Sequence, residues 1–296
     1  VPAAAYSPAA FRVVWGMVNV EIRVLGELDV RVGGLSVVPS APKPRQVLAL
    51  LALRVGEVVP ASLLAEELWS GRPPRSARTT VQTYVLQLRE LIDRALASGT
   101  GEGASAKDVL ATSPGGYRLN GGGGAADVAE FERLAGLGYC AMDAEDHALA
   151  ASRLAEALAV WRGPAFADVP TGGQLAVEAK RLEESRLYAL DQRIEADLRL
   201  GRHRALIAEL TVLVDRYRTH EGLHSQYMIA LHRSGRRGEA LEAYQRLRST
   251  LVRELGMEPG TGLSRLQRAI LLAGPEREPA EPGEAGGRTA RLSRVG

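Results

Sequence analysis

A single cysteine in 296 residues, Cys140, excludes an internal disulfide and a cysteine-built zinc site, and it fits a reducing cytoplasm. Its plainest reading is a small apolar residue on a helix. No apolar run approaches the ~20 residues that a bilayer-spanning helix needs, so no membrane is implicated. The opening VPAAAYSPAAFRVVWG has no basic segment ahead of a continuous apolar core, so it does not read as a signal peptide; residues 1–19 read as a loose arm, with Met17 a candidate start. Excess charge is missing too: a net +2 marks no nucleic-acid binder by itself, so any basic surface must be local. Neither GxxxxGK[ST] nor GxSxG occurs, which removes the phosphate-cradling loop and the nucleophile elbow. No cofactor and no metal are called for, and the chain reads as a non-enzyme.

What is present is enough apolar residue, 46% of the chain, for two domains with separate cores. The most informative stretch is 76–95, SARTTVQTYVLQLRELIDRA. Val81, Val85, Leu88 and Ile92 recur at helical spacing, so one stripe packs inward. The opposite side carries Thr79, Thr80, Thr83 and Gln87, with Gln82 and Arg94 at its margins and Arg78 and Arg89 beside the stripe. Hydroxyls and amides reach base edges in a major groove and guanidinium groups reach phosphates, so the pattern suits a DNA-reading helix. It equally fits a surface helix that happens to be polar.

The surrounding order narrows the choice. VEIRVLGELDVRVGG, from Val20, alternates apolar and polar residues and breaks at glycines, predicting two or three short antiparallel strands. Pro42 and Pro44 open an apolar helix through 46–54, and ASLLAEELWSG follows as a second. The loop GRPPRS carries Arg72 and Arg75 into the third helix. Residues 108–120, DVLATSPGGYRLN, read as a strand, a turn and a strand, with Lys107 and Arg118 placed to touch phosphate and Tyr117 placed to anchor the hairpin. Strands, three helices and a hairpin are the layout of a winged helix.

EIRVLGELDVRVGG, PKPRQVLALLALRVGEVVPASLLAEELWSGRPPRSARTTVQTYVLQLRELI and TSPGGYRLN together resemble the OmpR-type winged helix of the SARP group, the antibiotic regulatory activators of actinomycetes. GGGGAAD then reads as a linker, 121–126, after a DNA-binding domain of 20–120. Beyond it the pattern is all helical, with helices expected at 127–141, 145–161, 174–200, 203–217, 221–234, 238–255 and 262–272. Gly201-Arg202 and Gly235-Arg236 stand 34 residues apart, the period of tetratricopeptide helix pairs. DVAEFERL, AVWRGPAFADV and ALHRSGRRGEALEAYQRLRSTLVRELGMEPGTGLSRLQRAIL resemble the bacterial transcriptional activation domain of the same group. The expected fold is therefore mainly α: a winged helix-turn-helix with a small antiparallel sheet and wing, then a tetratricopeptide-like domain over 127–273, then a disordered tail, 274–296.

That resemblance implies a cytoplasmic, nucleoid-associated activator that binds direct repeats in double-stranded promoter DNA, self-associates there and recruits RNA polymerase holoenzyme to a secondary-metabolite gene cluster. The base-contact candidates are Thr79, Gln82, Thr83 and Gln87; the phosphate candidates are Arg78, Thr80, Tyr84, Arg89 and Arg118. Arg72, Pro73, Pro74 and Arg75 are the candidates for polymerase contact. Leu86 and Gln87 stand where OmpR-type helices commonly carry basic residues, which implies modest affinity for one site. Two other readings stay open. A ligand-gated regulator would hold a small molecule in the helical repeats, and a zinc hydrolase would use His220-Glu221-His224, which matches HExxH although Gly222 weakens the helix and no third ligand is evident. The arginines from Arg181 to Arg237 are interspersed with acids and read as a solvated, ion-paired face.

Overall fold

The computed structural model describes residues 19–98, 104–121 and 126–273. Most of the expected arm and linker, and all of the expected tail, lie outside them. The chain packs as two compact units, divided between Leu200 and Gly201.

The first unit opens with an antiparallel sheet, β1 (Val20–Arg23), β2 (Asp29–Val32) and β3 (Leu35–Ser36), in that order. Val20, Ile22, Val30 and Val32 are buried, while Glu21 and Arg31 face each other across the strands on the other side. Helix α1 (Pro42–Leu53) starts before the expected 46, because both prolines sit in its first turn, where no N–H is required. Strand β4 (Val59–Pro60) leads into α2 (Ala61–Trp69), which ends at Ser70 and Gly71 in left-handed conformations. Helix α3 (Ala77–Ser98) buries Val81, Val85, Leu88 and Ile92 as the spacing predicts, each contributing roughly 1.5–3 kcal/mol of apolar burial.

One expectation is corrected. Asp108 and Val109 do not open the hairpin; they close a helical turn, α4 (Ala106–Val109), held by a reciprocal capping box between Ser105 and Asp108. The hairpin itself is β5 (Leu110–Ser113) and β6 (Gly116–Leu119), and β4 joins it to give the order β4-β6-β5.

Helices α5 (Asp127–Asp143), α6 (His147–Ala159) and α7 (Gly173–Arg199) complete the unit, with α6 packed against both neighbours. They share one apolar core with the winged helix, running from Val20 and Leu51 to Phe131, Trp161 and Leu175. Polar groups seal the junction. The Asp127 carboxylate accepts the N–H groups of Val24 and Leu25, both at 2.8 Å, and those of Arg162, Phe166 and Ala167 donate to the carbonyls of Leu25, Val24 and Gly26. Asp168 accepts from Leu28 N–H at 2.7 Å and from Arg45 at 2.8 Å. Phe166, buried at φ +55°, adopts a backbone that a bulky residue avoids, and these bonds hold it there.

Most of the junction centres on Glu67. This α2 residue is 2% exposed, and its carboxylate lies at the N-terminus of the 27-residue α7. Oε1 accepts Gly172 N–H at 2.5 Å and Oε2 accepts Gln174 and Leu175 N–H at 2.7 and 3.2 Å, while Gln46 Nε2 donates to Oε1 at 3.1 Å. The first-turn amides that a helix leaves unsatisfied are thus met by a carboxylate, which the positive end of the helix dipole favours. A Cβ on Gly172 would stand 2.1 Å from the Glu67 carbonyl oxygen, so only glycine fits.

The second unit contains α8 (His203–Arg216), α9 (Glu221–Arg233), α10 (Arg237–Leu255) and α11 (Thr261–Leu272). Gly201 and Gly235, the repeat glycines, adopt φ of +77° and +80°, the left-handed turn for which glycine is suited. Among the described residues no helix is long and apolar enough to cross a membrane.

Candidate nucleic-acid interface

The outward side of α3 follows from its inward side. With Val81, Val85, Leu88 and Ile92 buried, helical geometry turns Arg78, Thr79, Gln82, Thr83, Leu86 and Gln87 to solvent, and all six are exposed. Thr80 and Tyr84 are half-buried along the edge of this face. Thr83 Oγ1 donates to the Thr79 carbonyl at 3.0 Å, and Thr80 Oγ1 donates to the Ser76 carbonyl at 3.1 Å. With their hydrogens so engaged, both hydroxyls present lone pairs and a methyl group outward. Leu86, 57% exposed, stands in the middle of this polar face.

A groove of about 660 Å³ joins the face to the wing. Arg78 and Gln82 line it from α3, Pro73, Pro74 and Arg75 from the loop after α2, and Thr112, Ser113, Gly115 and Gly116 from the hairpin. Three groups separated in sequence are therefore brought together, including three of the four proposed polymerase-contact residues. Arg72, Pro73, Pro74 and Arg75 are all exposed.

Arg89 and Arg118 are placed differently from the exposed face. Arg89 Nε and Nη2 donate to the Leu110 carbonyl at 3.0 and 2.8 Å, and Nη2 also reaches Thr112 Oγ1 at 2.8 Å, so this guanidinium ties the hairpin to α3. Arg118 lies opposite Ala111 on the hairpin, half-buried, with its Nε enclosed and without a hydrogen bond. Tyr117 is buried in register with both Val59 and Thr112, which anchors the wing as expected. Lys107 is exposed on α4.

The HExxH segment is used structurally. His220 caps α9, its Nδ1 accepting Leu223 N–H at 3.2 Å, and Glu221 accepts Gly260 N–H at 2.8 Å. Among the described residues no group of three or more His, Cys, Asp or Glu side chains is placed to hold a metal ion. The arginine-rich helices are laced with ion pairs, such as Arg181 to Glu178 at 2.7 Å and Arg199 to Glu195 at 2.7 Å. Cys140 is free and exposed on α5.

Sequence reasoning missed the buried acids Glu67 and Asp127 and the half-buried Asp168. A pair of acids set within an apolar run, Glu66-Glu67 in LLAEELW, gave one hint, but nothing indicated the amides that Glu67 serves more than a hundred residues away.

Comparison with known proteins bears on the same architecture. A family model described as bacterial transcriptional activator domain matches residues 126–271, and one described as transcriptional regulatory protein, C terminal, matches residues 36–119. Regulatory protein DnrI of Streptomyces peucetius is 51% identical over 255 residues, covering 86% of this chain and 93% of that protein. The chain belongs to the SARP family. As a SARP it is a transcriptional activator, with an OmpR-type winged helix ahead of a bacterial transcriptional activator domain. Regulatory protein AfsR of Streptomyces coelicolor is 36% identical to this SARP over 253 residues, 85% of the chain but only 24% of AfsR. The solved structure of Mycobacterium tuberculosis EmbR in complex with low affinity phosphopeptide matches with a TM-score of 0.75 at 33% identity, over 86% of this chain and 65% of that one. This SARP thus spans about a quarter of AfsR and just under two thirds of the EmbR chain.

Proposed function

We propose that this SARP reads promoter DNA by laying α3 in a major groove, with the hairpin along the adjacent backbone. The observation that carries the reading is the exposed face of α3, where Arg78, Thr79, Gln82, Thr83 and Gln87 line up opposite the buried stripe. Gln82 and Gln87 are assigned to base edges as donor–acceptor pairs, Thr83 as an acceptor and Thr79 as donor or acceptor. Leu86 suits a thymine methyl. Arg78, with Thr80 and Tyr84 beside it, is assigned to phosphate, and Arg118 to phosphate at the wing; Arg89 acts by fixing the wing's position. With few cations on the face, affinity for one site is modest, and two copies bound side by side on direct repeats make up the difference. The exposed loop of Arg72, Pro73, Pro74 and Arg75 is assigned to RNA polymerase holoenzyme. The target is a secondary-metabolite gene cluster, and the protein works on the nucleoid in the cytoplasm.

Footprinting on the promoters beside such a cluster tests this. Arg78→Ala should weaken binding across sequences and reduce the salt slope by about one. Gln87→Ala should relax discrimination at one base pair. Wild-type footprints from both variants would refute the assigned face. Because Arg75 shares the groove with Arg78, Arg72→Ala is the cleaner polymerase variant: DNA binding is kept and transcription in vitro falls.

A further inference from the structure

The second unit holds a cavity of about 610 Å³ among α8, α9 and α10. That volume lies within the range of small-molecule sites. Arg218 and Arg246 line it, facing one carboxylate, Asp215; the carboxylate nearest Arg246 on its own helix, Glu242, stands 3.9 Å away with both side chains mostly exposed. Thr211 and Tyr227 contribute hydroxyls already bonded to each other at 3.2 Å, and Val212 and Leu247 supply apolar wall.

The decisive group is His224, the last histidine of the HExxH segment. It is 6% exposed and lines the cavity; its ring lies near the backbone carbonyls of Arg218 and Val214, but neither ring nitrogen closes a hydrogen bond of good geometry. Burial, with Arg246 and His220 adding to it, pushes its pKa down to about 4; the backbone of Arg218 and Val214 favours the charged ring without offsetting this. The ring is therefore neutral near pH 7, with one donor and one acceptor. A buried polar group in that condition calls for a partner, and a polar cavity supplies room for one.

We propose that this cavity is a binding site for a small organic anion, whose carboxylate or phosphate is gripped by Arg218 and Arg246, whose polar edge meets His224, and whose carbon skeleton lies on Val212 and Leu247. Guanidinium forks match such oxyanions in geometry and charge. The site rests on the second unit alone and stands apart from the DNA reading.

The test is calorimetric titration of the full chain with inorganic phosphate, pyrophosphate, citrate and salicylate, alongside NMR of ¹⁵N-labelled histidine rings. At least one probe should bind saturably, with a Kd of about 1 mM or tighter, and should shift the His224 resonances. Arg218→Ala and Arg246→Ala should each weaken it about tenfold or more, while Arg204→Ala, an exposed α8 residue outside the cavity, leaves it unchanged. Both substituted arginines are exposed, so the variants should keep the wild-type circular dichroism spectrum and melting curve. If no probe binds, if both variants bind as wild type does, or if the shifts fall on other histidines, the site holds water and the proposal fails. An acidic peptide that shifts His224 where the small anions do not would also overturn it, replacing a ligand with a protein partner.

Discussion

Glu67→Gln is the sharpest test of how this chain holds together. The exchange keeps shape and removes one acceptor oxygen, putting an amide NH₂ where Oε1 or Oε2 now accepts. If Oε2 is replaced, Gln174 and Leu175 N–H lose their acceptor; if Oε1, then Gly172 N–H and Gln46 Nε2 do. The first case leaves two donors without an acceptor and the second leaves Gly172 N–H, since Gln46 Nε2 keeps the Glu67 carbonyl at 3.0 Å; each such donor costs roughly 1–3 kcal/mol, and the charge that favours the helix terminus, worth up to about 2 kcal/mol, is gone. These terms overlap, and about 3–5 kcal/mol is expected. For a unit of this size, 1 kcal/mol moves Tm by about 2–4 °C, so the first unit should melt about 6–20 °C earlier. Differential scanning calorimetry reads that directly, and hydrogen exchange should find the amides of Gly172, Gln174 and Leu175 losing protection first. A loss below about 1 kcal/mol, with those amides still protected, would refute a carboxylate-capped junction.

Other consequences are as specific. Gly172→Ala drives a methyl group into the Glu67 backbone and should destabilise the same unit by about 1–3 kcal/mol in urea denaturation, whereas Gly173→Ala, with open space around it, should not. Arg89→Ala should weaken DNA binding by freeing the hairpin, seen as faster exchange of the amides in β5 and β6, and its change in salt slope should be smaller than that of Arg78→Ala. His224 carries a pH signature: its folded-state pKa of about 4 lies below the ordinary 6.5, so the unfolded chain takes up the proton first. Stability is full above pH 6.5 and is lost as pH falls toward 4, by about 3 kcal/mol at most. Urea midpoints of wild type and His224→Asn should therefore converge in that window, and parallel curves would refute a buried neutral ring.

Much of the fold is legible in the chain because it is local. The stripe from Val81 to Ile92 specifies α3 and hence its exposed face, and Gly201 and Gly235 mark turns that their backbone angles require. The α4 turn was hidden because SAKDV reads as an approach to a strand until Ser105 and Asp108 are seen to cap each other. The junction was hidden for a deeper reason: Asp127, Asp168 and Glu67 sit where solvated acids usually sit, and their partners lie far away in sequence. At the interface, composition placed Arg89 among phosphate contacts, but its reach to the Leu110 carbonyl depends on where the hairpin folds back. HExxH misleads likewise, since capping by His220 and burial of His224 are both available to histidines at that spacing.

The Glu67 clasp also makes α7 a lever. A helix of 27 residues is about 40 Å long, and this one is clamped at its first turn to α2. A tilt of about 5° at the clasp would carry its far end through about 3.5 Å, roughly one side chain's width.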